Sequence, residues 1–406
     1  MKKIRLFVCL TILLWGISSA IGQAGIFGTQ CDPCAPACDP CEPVCDPCDP
    51  CGSGGSSSLF TLGGWIDMGV YTNSRGFNNN GPMHASSTRR NDFVLSQLYL
   101  SAAKEMDTRR GLDWGARADF VYGAHADGMQ TGDGTFDAGW GMNRSGYAVS
   151  AYQLYGTLGY HDLSVKVGKF GTPVGWEGSA SKDNFFYSHS YCYWIEPATH
   201  MGILADYKLS DRLTISAGWT TGADSSFDNP YGKSALLAGF EYALADDATV
   251  YYWINAGKTR EDYNEWTDYF VQSLCFELAL TDRFTYVNQY NLRNDNVRGG
   301  GDRTSAYGIN NHFLYKLNDQ WSVGTRFEWL RDNCGYVTDD TSDYYQVTLG
   351  LNWNPWENVS IRPEVRYDWC RGCVTPFGPS AVFGGYPIQG IRSEQVSGGC
   401  GIVLSF

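Results

Sequence analysis

Residues 360–369, SIRPEVRYDW, decide the fold because their side chains alternate in character at every position. The even-numbered residues are polar or charged: Ser360, Arg362, Glu364, Arg366 and Asp368. The odd-numbered residues are largely apolar or aromatic: Ile361, Pro363, Val365, Tyr367 and Trp369. Successive side chains of a β-strand point to opposite faces, so this stretch predicts a strand with one charged face. A charged face opposite an aromatic one indicates water on one side of the sheet and lipid on the other.

The same alternation recurs from Leu59 to Phe406 in segments of about ten residues, a length that spans a membrane in a tilted strand. Sixteen strands are predicted, within a range of fourteen to eighteen, near residues 59–71, 93–104, 111–124, 148–160, 163–170, 199–208, 212–222, 234–244, 248–258, 268–280, 283–293, 304–317, 320–331, 343–353, 358–370 and 396–406. Proline cannot donate to a strand ladder, so Pro363 predicts a bulge.

The connections between these strands alternate in length. Short turns such as His161–Asp162 follow long segments such as 125–147 and 171–198. Bacterial outer-membrane barrels have tight periplasmic turns and long outer loops, whereas a soluble sandwich has no reason to place every long loop at one end. The sequence therefore predicts an all-β, transmembrane, antiparallel up-and-down barrel. An even strand number would leave both termini in the periplasm.

The composition excludes several classes of function. Charged residues make up 18% of the 406 positions, and aromatic residues make up 15%. Soluble domains usually carry about a quarter charged residues. The net charge of −13 argues against a nucleic-acid partner, which needs clustered lysine and arginine. After the N-terminus there is no apolar run long enough for a spanning helix.

Two segments precede the predicted barrel. Residues 1–24 combine a basic start, a short apolar run and small residues, as in a secretory signal peptide. Residues 25–58 form a Cys/Pro-rich tail and a Gly/Ser linker, in which the prolines forbid a helix and favour an extended, disordered chain. The tail cysteines are Cys31, Cys34, Cys38, Cys41, Cys45, Cys48 and Cys51. In an exported protein they predict internal disulfides or a covalent link to another chain or the cell wall, with zinc binding and an inert spacer as alternatives.

Several motifs resemble the β-barrel porins of the OmpL-like family and, more distantly, the carbohydrate-selective porins. The motifs are Gly63–Asp67, Gln97–Leu100, Val167–Phe170, Lys182–Ser188 and Glu196–Gly202. Separately, the alternating last strand that ends at Phe406 resembles the terminal signal of outer-membrane barrels. The resemblance covers residues 59–406 and implies an outer-membrane barrel without naming a substrate. By similarity to general porins it also implies a homotrimer surrounded by outer-membrane lipid.

In general porins the third long loop folds inward, and the resemblance implies the same for residues 171–198. The candidate constriction residues of this loop are Trp176, Glu177, Asp183, Asn184, Tyr187 and Glu196. The basic wall residues expected to face them are Arg117, Lys166, Arg326, Arg362 and Arg366. Acidic groups opposite basic ones would filter ions and small polar solutes. The alternative is that these charges pair with neighbours on the hydrated wall.

No catalytic pattern is found in the sequence. The six histidines show no metal-ligand spacing, and no nucleophile elbow or phosphate loop occurs. Cys370 and Cys373 are expected to form a structural disulfide, in which Cys334 is a further candidate. We therefore predict no enzyme activity, no cofactor and no metal centre. The predicted function is passive diffusion of small hydrophilic solutes and ions, with a sugar-selective channel or a structural membrane anchor as alternatives.

Overall fold

The computed structural model describes residues 59–74, 90–132, 136–143, 146–229, 232–259, 267–297, 303–333, 341–371 and 393–406. These residues form a closed barrel of sixteen antiparallel strands, in which each strand pairs with its neighbours in the chain and the first pairs with the last. The strands are β1 (Thr61–Asn73), β2 (Phe93–Lys104), β3 (Leu112–Gly123), β4 (Ala148–Tyr160), β5 (Leu163–Gly171), β6 (Thr199–Ser210), β7 (Leu213–Ala223), β8 (Ser234–Ala245), β9 (Ala248–Thr259), β10 (Thr267–Thr281), β11 (Phe284–Val297), β12 (Arg303–Lys316), β13 (Trp321–Asn333), β14 (Ser342–Trp356), β15 (Val359–Arg371) and β16 (Glu394–Ser405).

Short helices lie in the connections. There are 3₁₀ turns at Thr108–Arg110, Asp127–Met129 and Ser181–Asp183, and one α-helical turn, α1, at Tyr191–Trp194. Ser190 caps α1, because its hydroxyl accepts the N–H of Tyr193. No helix within the described ranges is long and apolar enough to cross a membrane.

The predicted all-β, antiparallel, up-and-down barrel of sixteen strands is confirmed. The bulge expected at Pro363 is wrong, because Pro363 pairs with Cys400 in the regular register of β15 and β16. The register shift between β14 and β15 lies instead between Trp353 and Trp356. The proline is tolerated because the ladder to β14 is interrupted opposite it. The predicted signal peptide and the cysteine tail lie outside the described residues.

The two faces of the wall differ as the alternation predicts. Leu349 and Val365 point outward and are 58% and 57% exposed, whereas the neighbouring Arg366 points inward and is fully buried. Outward aromatic rings stack across strands, with centroids 5.3 Å apart for Trp321 and Trp353. This arrangement is typical of a barrel that presents aromatic and aliphatic groups to lipid. The charged groups therefore lie inside the barrel.

Candidate functional site

The connection between β5 and β6, residues 172–198, crosses the interior of the barrel; we call it the inward loop. At one side, the Tyr187 hydroxyl lies 3.2 Å from the Ser96 hydroxyl of β2. At the other, Trp176 donates its indole N–H to Glu277 of β10 over 3.2 Å. In a closed barrel of sixteen strands, β2 and β10 are eight strands apart and lie opposite each other. The inward loop therefore spans the lumen.

Two wall carboxylates hold the backbone of the inward loop. Glu364 of β15 accepts the N–H groups of Tyr187 and Ser188, at 2.8 and 3.2 Å. Glu328 of β13 accepts the N–H groups of Tyr191 and Cys192, both at 2.6 Å. Charge-assisted hydrogen bonds of this kind are about twice as strong as neutral ones. They fix the loop backbone just before and within α1.

Three wall arginines bind carbonyl groups of the same loop. Arg326 donates to the carbonyls of Ser188 and His189, at 2.8 and 3.1 Å. Arg366 donates to the carbonyl of His189 at 2.7 Å. Arg362 donates to the carbonyls of Ser181 and Asn184, at 2.6 and 2.9 Å. The five donors of a guanidinium allow each arginine to bind the loop and a carboxylate at once.

Each of these arginines also forms a buried ion pair. The partners and N–O distances are Glu177 for Arg326 at 2.7 Å, Asp67 for Arg362 at 3.2 Å and Asp368 for Arg366 at 2.7 Å. Although burial alone would raise the pKa of Glu177, the charges of Arg326 and of nearby histidines lower that pKa to about 2. Of the acids and bases predicted to face one another, only Glu177 and Arg326 form an ion pair in the described structure.

Glu196 lies at the C-terminal end of the inward loop without an ion-pair partner among the described residues. Its carboxylate accepts hydrogen bonds from the side-chain amides of Gln289, at 2.5 Å, and Asn291. Burial and the nearby carboxylates of Glu177 and Glu328 raise the pKa of Glu196 well above its usual value. Burial thus disfavours the charged form of Glu196, and amide hydrogen bonds hold its carboxyl group in place.

Wall glycines receive the aromatic side chains of the loop. A Cβ added at Gly401 would lie 2.5 Å from the Tyr187 ring, and one added at Gly69 would lie 2.8 Å from it. A Cβ added at Gly324 would lie 2.5 Å from the Phe185 ring, and one added at Gly350 would lie 2.8 Å from the Phe186 ring. These inward glycines leave sockets into which the rings pack. Packing against the wall thus accounts for the burial of Phe186 and Tyr187.

Asp183, Arg117 and Lys166 lie apart from this network, whereas Asn184 contributes its backbone carbonyl to it. Asp183 is exposed, and Lys182 beside it lies over the Trp65 ring at 5.7 Å. Arg117 is paired with Asp119 at 2.7 Å. Lys166 lies over the rings of Tyr155 and Phe170, at 5.1 and 5.3 Å. Asn184 bonds back to Gly178 through its side chain and so stabilises a turn in the loop.

Histidines accompany the loop without forming a metal centre. The rings of His189 and Tyr193 stack at 3.9 Å, and those of His189 and His125 are 6.5 Å apart. His312 of β12 packs on Trp176 at 4.5 Å. Within the described ranges no group of three or more histidine, cysteine, aspartate or glutamate side chains could hold a metal ion.

The cysteines of the described structure are largely structural. Cys192 and Cys275 are free and buried, and Cys400 is free and partly buried. Cys370 is disulfide-bonded. Cys334, Cys373 and the seven tail cysteines lie outside the described residues.

At the level of the loop, the interior is filled on every side. Each of the sixteen strands contributes at least one inward side chain that is less than 9% exposed: Asp67, Gln97, Asp119, Tyr152, Phe170, Leu204, Thr220, Leu237, Asn255, Val271, Asn291, His312, Arg326, Thr348, Arg366 and Gln395. Val174 of the loop belongs to the same packed cluster as Phe170, Leu204 and Leu237. The loop and these side chains together reduce the open cross-section of the lumen.

Four acidic residues of this network were not among the predicted site residues: Asp67, Glu328, Glu364 and Asp368. Each has the inward parity of its strand, which the alternation in the sequence already indicates. The alternation of polar and apolar residues could therefore have identified these four residues as inward-facing. Their partners in the loop could not be read from the sequence, because the contacts join residues up to 177 positions apart.

Three solved structures share this architecture. The anion-selective porin from Comamonas acidovorans is 14% identical and has a TM-score of 0.57, with 86% of this chain and 99% of that chain covered. The outer membrane channel DcaP of Acinetobacter baumannii is 11% identical, with a TM-score of 0.56 and coverage of 86% and 97%. The trimer form of OmpT, an outer membrane protein of Vibrio cholerae, is 14% identical, with a TM-score of 0.54 and coverage of 86% and 99%. At these identities the likeness shows the fold.

The family is shown by the sequence itself. No curated protein sequence matches the chain significantly. A family model described as "Putative beta-barrel porin-2, OmpL-like" matches residues 59–406, which include the whole barrel and the inward loop. The chain therefore belongs to the OmpL-like family of outer-membrane β-barrel porins.

Proposed function

We propose that the protein allows passive diffusion of ions and small hydrophilic solutes across an outer membrane. The observation that carries this proposal is a closed barrel whose inward faces are polar and charged and whose outward faces are apolar. A hydrated interior within a lipid-facing wall is what a diffusion channel needs. No enzymatic role is proposed, since porins of this family and fold are typically channels.

The inward loop would set the size of what passes. Five charged side chains of the wall form hydrogen bonds with this loop: Arg326, Glu328, Arg362, Glu364 and Arg366. A loop held in this way is positioned rather than free to move aside, because its charged partners are buried and would be left unpaired. We assign the constriction to this loop, with Trp176 and Asp183 among its solvent-accessible residues.

Single-channel recording in a planar bilayer tests the proposal. Purified full-length protein in KCl should give stepwise, ohmic openings of small conductance, since side chains fill the interior at the loop. Replacing residues 176–194 by a short Gly/Ser linker should enlarge each step severalfold. Correctly folded protein that inserts without any conductance would contradict the proposal.

A structural anchor is the second candidate, and the ring of buried side chains on all sixteen strands favours it. A barrel filled in this way could join the outer membrane to the cell wall through its cysteine tail. The same recording separates the candidates, because an anchor gives no openings. Saturable block by added sugars would instead support a sugar-selective channel.

We also propose a homotrimer with both termini in the periplasm. An outward groove between β2 and β5 is lined by the small residues Ala102, Ala116, Ala118 and Gly156, with Leu154 and Val167 at its sides. Small residues let neighbouring membrane segments approach closely. A second copy of the chain is the occupant that we assign to this groove.

A further inference from the structure

The charged groups around the inward loop are buried, and two of them, Glu328 and Glu364, accept backbone N–H groups of the loop. Arg326, Arg362 and Arg366 are each at most 3% exposed and are bonded to a carboxylate. Glu196 is buried, and its carboxyl group accepts hydrogen bonds from the side-chain amides of Gln289 and Asn291. Opposite charges in contact cancel at a distance of a few ångströms. The charges that a passing ion can reach directly therefore lie elsewhere in the lumen.

Two glutamates on the opposite arc of the wall lack such partners. Glu241 of β8 has the same parity as Leu237, which packs against the loop residue Val174, so Glu241 also points inward. Glu277 of β10 accepts the indole N–H of Trp176 and so faces the loop directly. Glu241 is exposed and Glu277 is partly exposed. The ion pairs within the described ranges include neither carboxylate.

Tyr251 of β9 lies between the two carboxylates. It pairs with Glu241 on one side and with Cys275 on the other. Glu277 pairs with Thr249, two residues further along the same face of β9. Three adjacent strands thus place both glutamates around one tyrosine ring. Carboxylates beside aromatic faces attract cations through charge and through the ring quadrupole.

The remaining charges on this side balance each other. Lys166 of β5 pairs with Leu204 of β6, so Asp206 is its diagonal neighbour on the inward face. Arg117 is paired with Asp119. Lys182 and Asp183 are adjacent in the loop and both exposed. Among the described residues, Glu241 and Glu277 are the inward carboxylates of β8, β9 and β10, and neither belongs to an ion pair there.

We propose that Glu241 and Glu277 determine ion selectivity and make the passage prefer cations to anions. This inference rests on the proposed diffusion function and adds to it the class of solute. Small cations would be concentrated at the Glu241–Tyr251–Glu277 face on their way past Trp176. The sequence predicted that acidic loop residues opposite basic wall residues would select the ions. In this proposal the acidic face on β8–β10 selects them instead.

The test is the reversal potential of single channels in a KCl gradient. Wild-type protein should favour K⁺ over Cl⁻. The double variant Glu241→Gln, Glu277→Gln keeps an acceptor for Trp176 and should lower the permeability ratio about threefold or more, because it removes two fixed charges. Lys166→Met should raise the ratio. Asp319→Asn, at an exposed turn where Asp319 pairs with Lys316, should leave it unchanged.

The outcomes distinguish the two proposals. Stepwise openings with a Cl⁻ preference, or with a ratio that the double variant leaves unchanged, would overturn the assignment of Glu241 and Glu277 while leaving the diffusion function intact. Absence of openings from folded, inserted wild-type protein would overturn the diffusion function and the selectivity assignment with it. If the double variant fails to fold, Lys166→Met gives a second measurement. It removes a positive charge and should therefore raise the K⁺/Cl⁻ permeability ratio.

Discussion

Arg326 lies at the centre of the contacts between the wall and the inward loop. Its guanidinium bonds Glu177 and the carbonyls of Ser188 and His189, and its plane lies 4.9 Å from the centre of the Phe186 ring. Breaking a buried ion pair from one side leaves the other charge without compensation. A single residue thus couples the charge, the backbone and the packing of the loop.

Arg326→Ala should destabilise the folded barrel by about 3 kcal/mol, because Glu177 would remain buried and charged. Denaturant unfolding followed by tryptophan fluorescence measures this loss. Arg331→Ala is the matched control, since both side chains of the Arg331–Asp343 pair are 28% exposed and the pair should contribute less than about 1 kcal/mol. If the two substitutions lowered the free energy of unfolding equally, the buried contacts of Arg326 with the loop would add no stability beyond that of a partly exposed ion pair.

His189 should make the stability depend on pH. Burial lowers the pKa of His189 to about 3, despite the opposing charge of Glu177, and His125, Arg326 and Arg362 lower it further. A histidine in the unfolded chain has a pKa near 6.5. Below that pH the unfolded chain gains a proton that the folded chain does not, so folding stability falls with pH down to about 3. Between pH 7 and pH 5 this loss amounts to about 2 kcal/mol.

The variant His189→Gln should reduce proton uptake on unfolding by about one proton over this range. Unfolding free energies at several pH values between 7 and 5 give that number as a slope. His161→Gln, in an exposed turn, serves as the control and should keep the wild-type slope. A slope that is the same in His189→Gln and wild type would show that the histidine is not buried as a neutral group.

At the level of elements, the strands and the loop follow different rules. Each strand was predictable because its two faces meet water and lipid, which forces a period of two on the residues. The inward loop has no such period. Its conformation depends on sockets at Gly69, Gly324, Gly350 and Gly401 that are provided by distant strands.

Gly401→Leu should expel Tyr187 from its socket, because the added Cβ alone would lie 2.5 Å from the ring. Overpacking of this kind costs about 1–3 kcal/mol. The barrel should still form, while trypsin should cut faster at the exposed Lys182 of the loosened loop. Gly63→Ala on β1, whose new Cβ would meet nothing closer than 3.5 Å, should keep the wild-type cleavage rate. If trypsin cut at Lys182 no faster in Gly401→Leu than in wild type, the packing of Tyr187 against Gly401 would not hold the loop in place.

At the level of the whole molecule, the outward surface differs around the barrel. Small residues line the groove on β2–β5, whereas large apolar residues such as Leu236 and Trp219 cover the wall near β7 and β8. A contact between copies requires close approach, and the groove is the face that permits it. The proposed trimer can therefore be tested by changing one face and not the other.

Ala116→Trp should disrupt the trimer, because an indole would fill the groove that a neighbouring copy occupies. Native mass spectrometry in detergent measures the ratio of trimer to monomer. The same substitution at Ala238, on the outward face of β8, should leave the ratio unchanged. A monomeric wild type, or equal effects at the two positions, would contradict this location of the contact.

The sequence by itself determined the barrel, its strand number to within two and the residues that point inward. It could do so because a strand between lipid and water must alternate, and because that rule is local to about ten residues. The same reasoning identified Arg326, Arg362 and Arg366 as interior charges, and the resemblance to general porins added Glu177 of the loop. The sequence predicted that the acidic and basic groups would face one another across the pore. In the structure each of these arginines contacts a carboxylate directly.

Only the tertiary structure decided which of these charges are neutralised. Glu177 meets Arg326 across 149 positions, and Glu364 meets the backbone of Tyr187 across 177 positions. Closure of the barrel sets those distances, and no local pattern encodes them. Glu241 and Glu277 differ from the buried carboxylates because the fold leaves both of them accessible and outside an ion pair among the described residues. The physical reason is that charge compensation depends on distances of a few ångströms in space, whereas the sequence records only order along the chain.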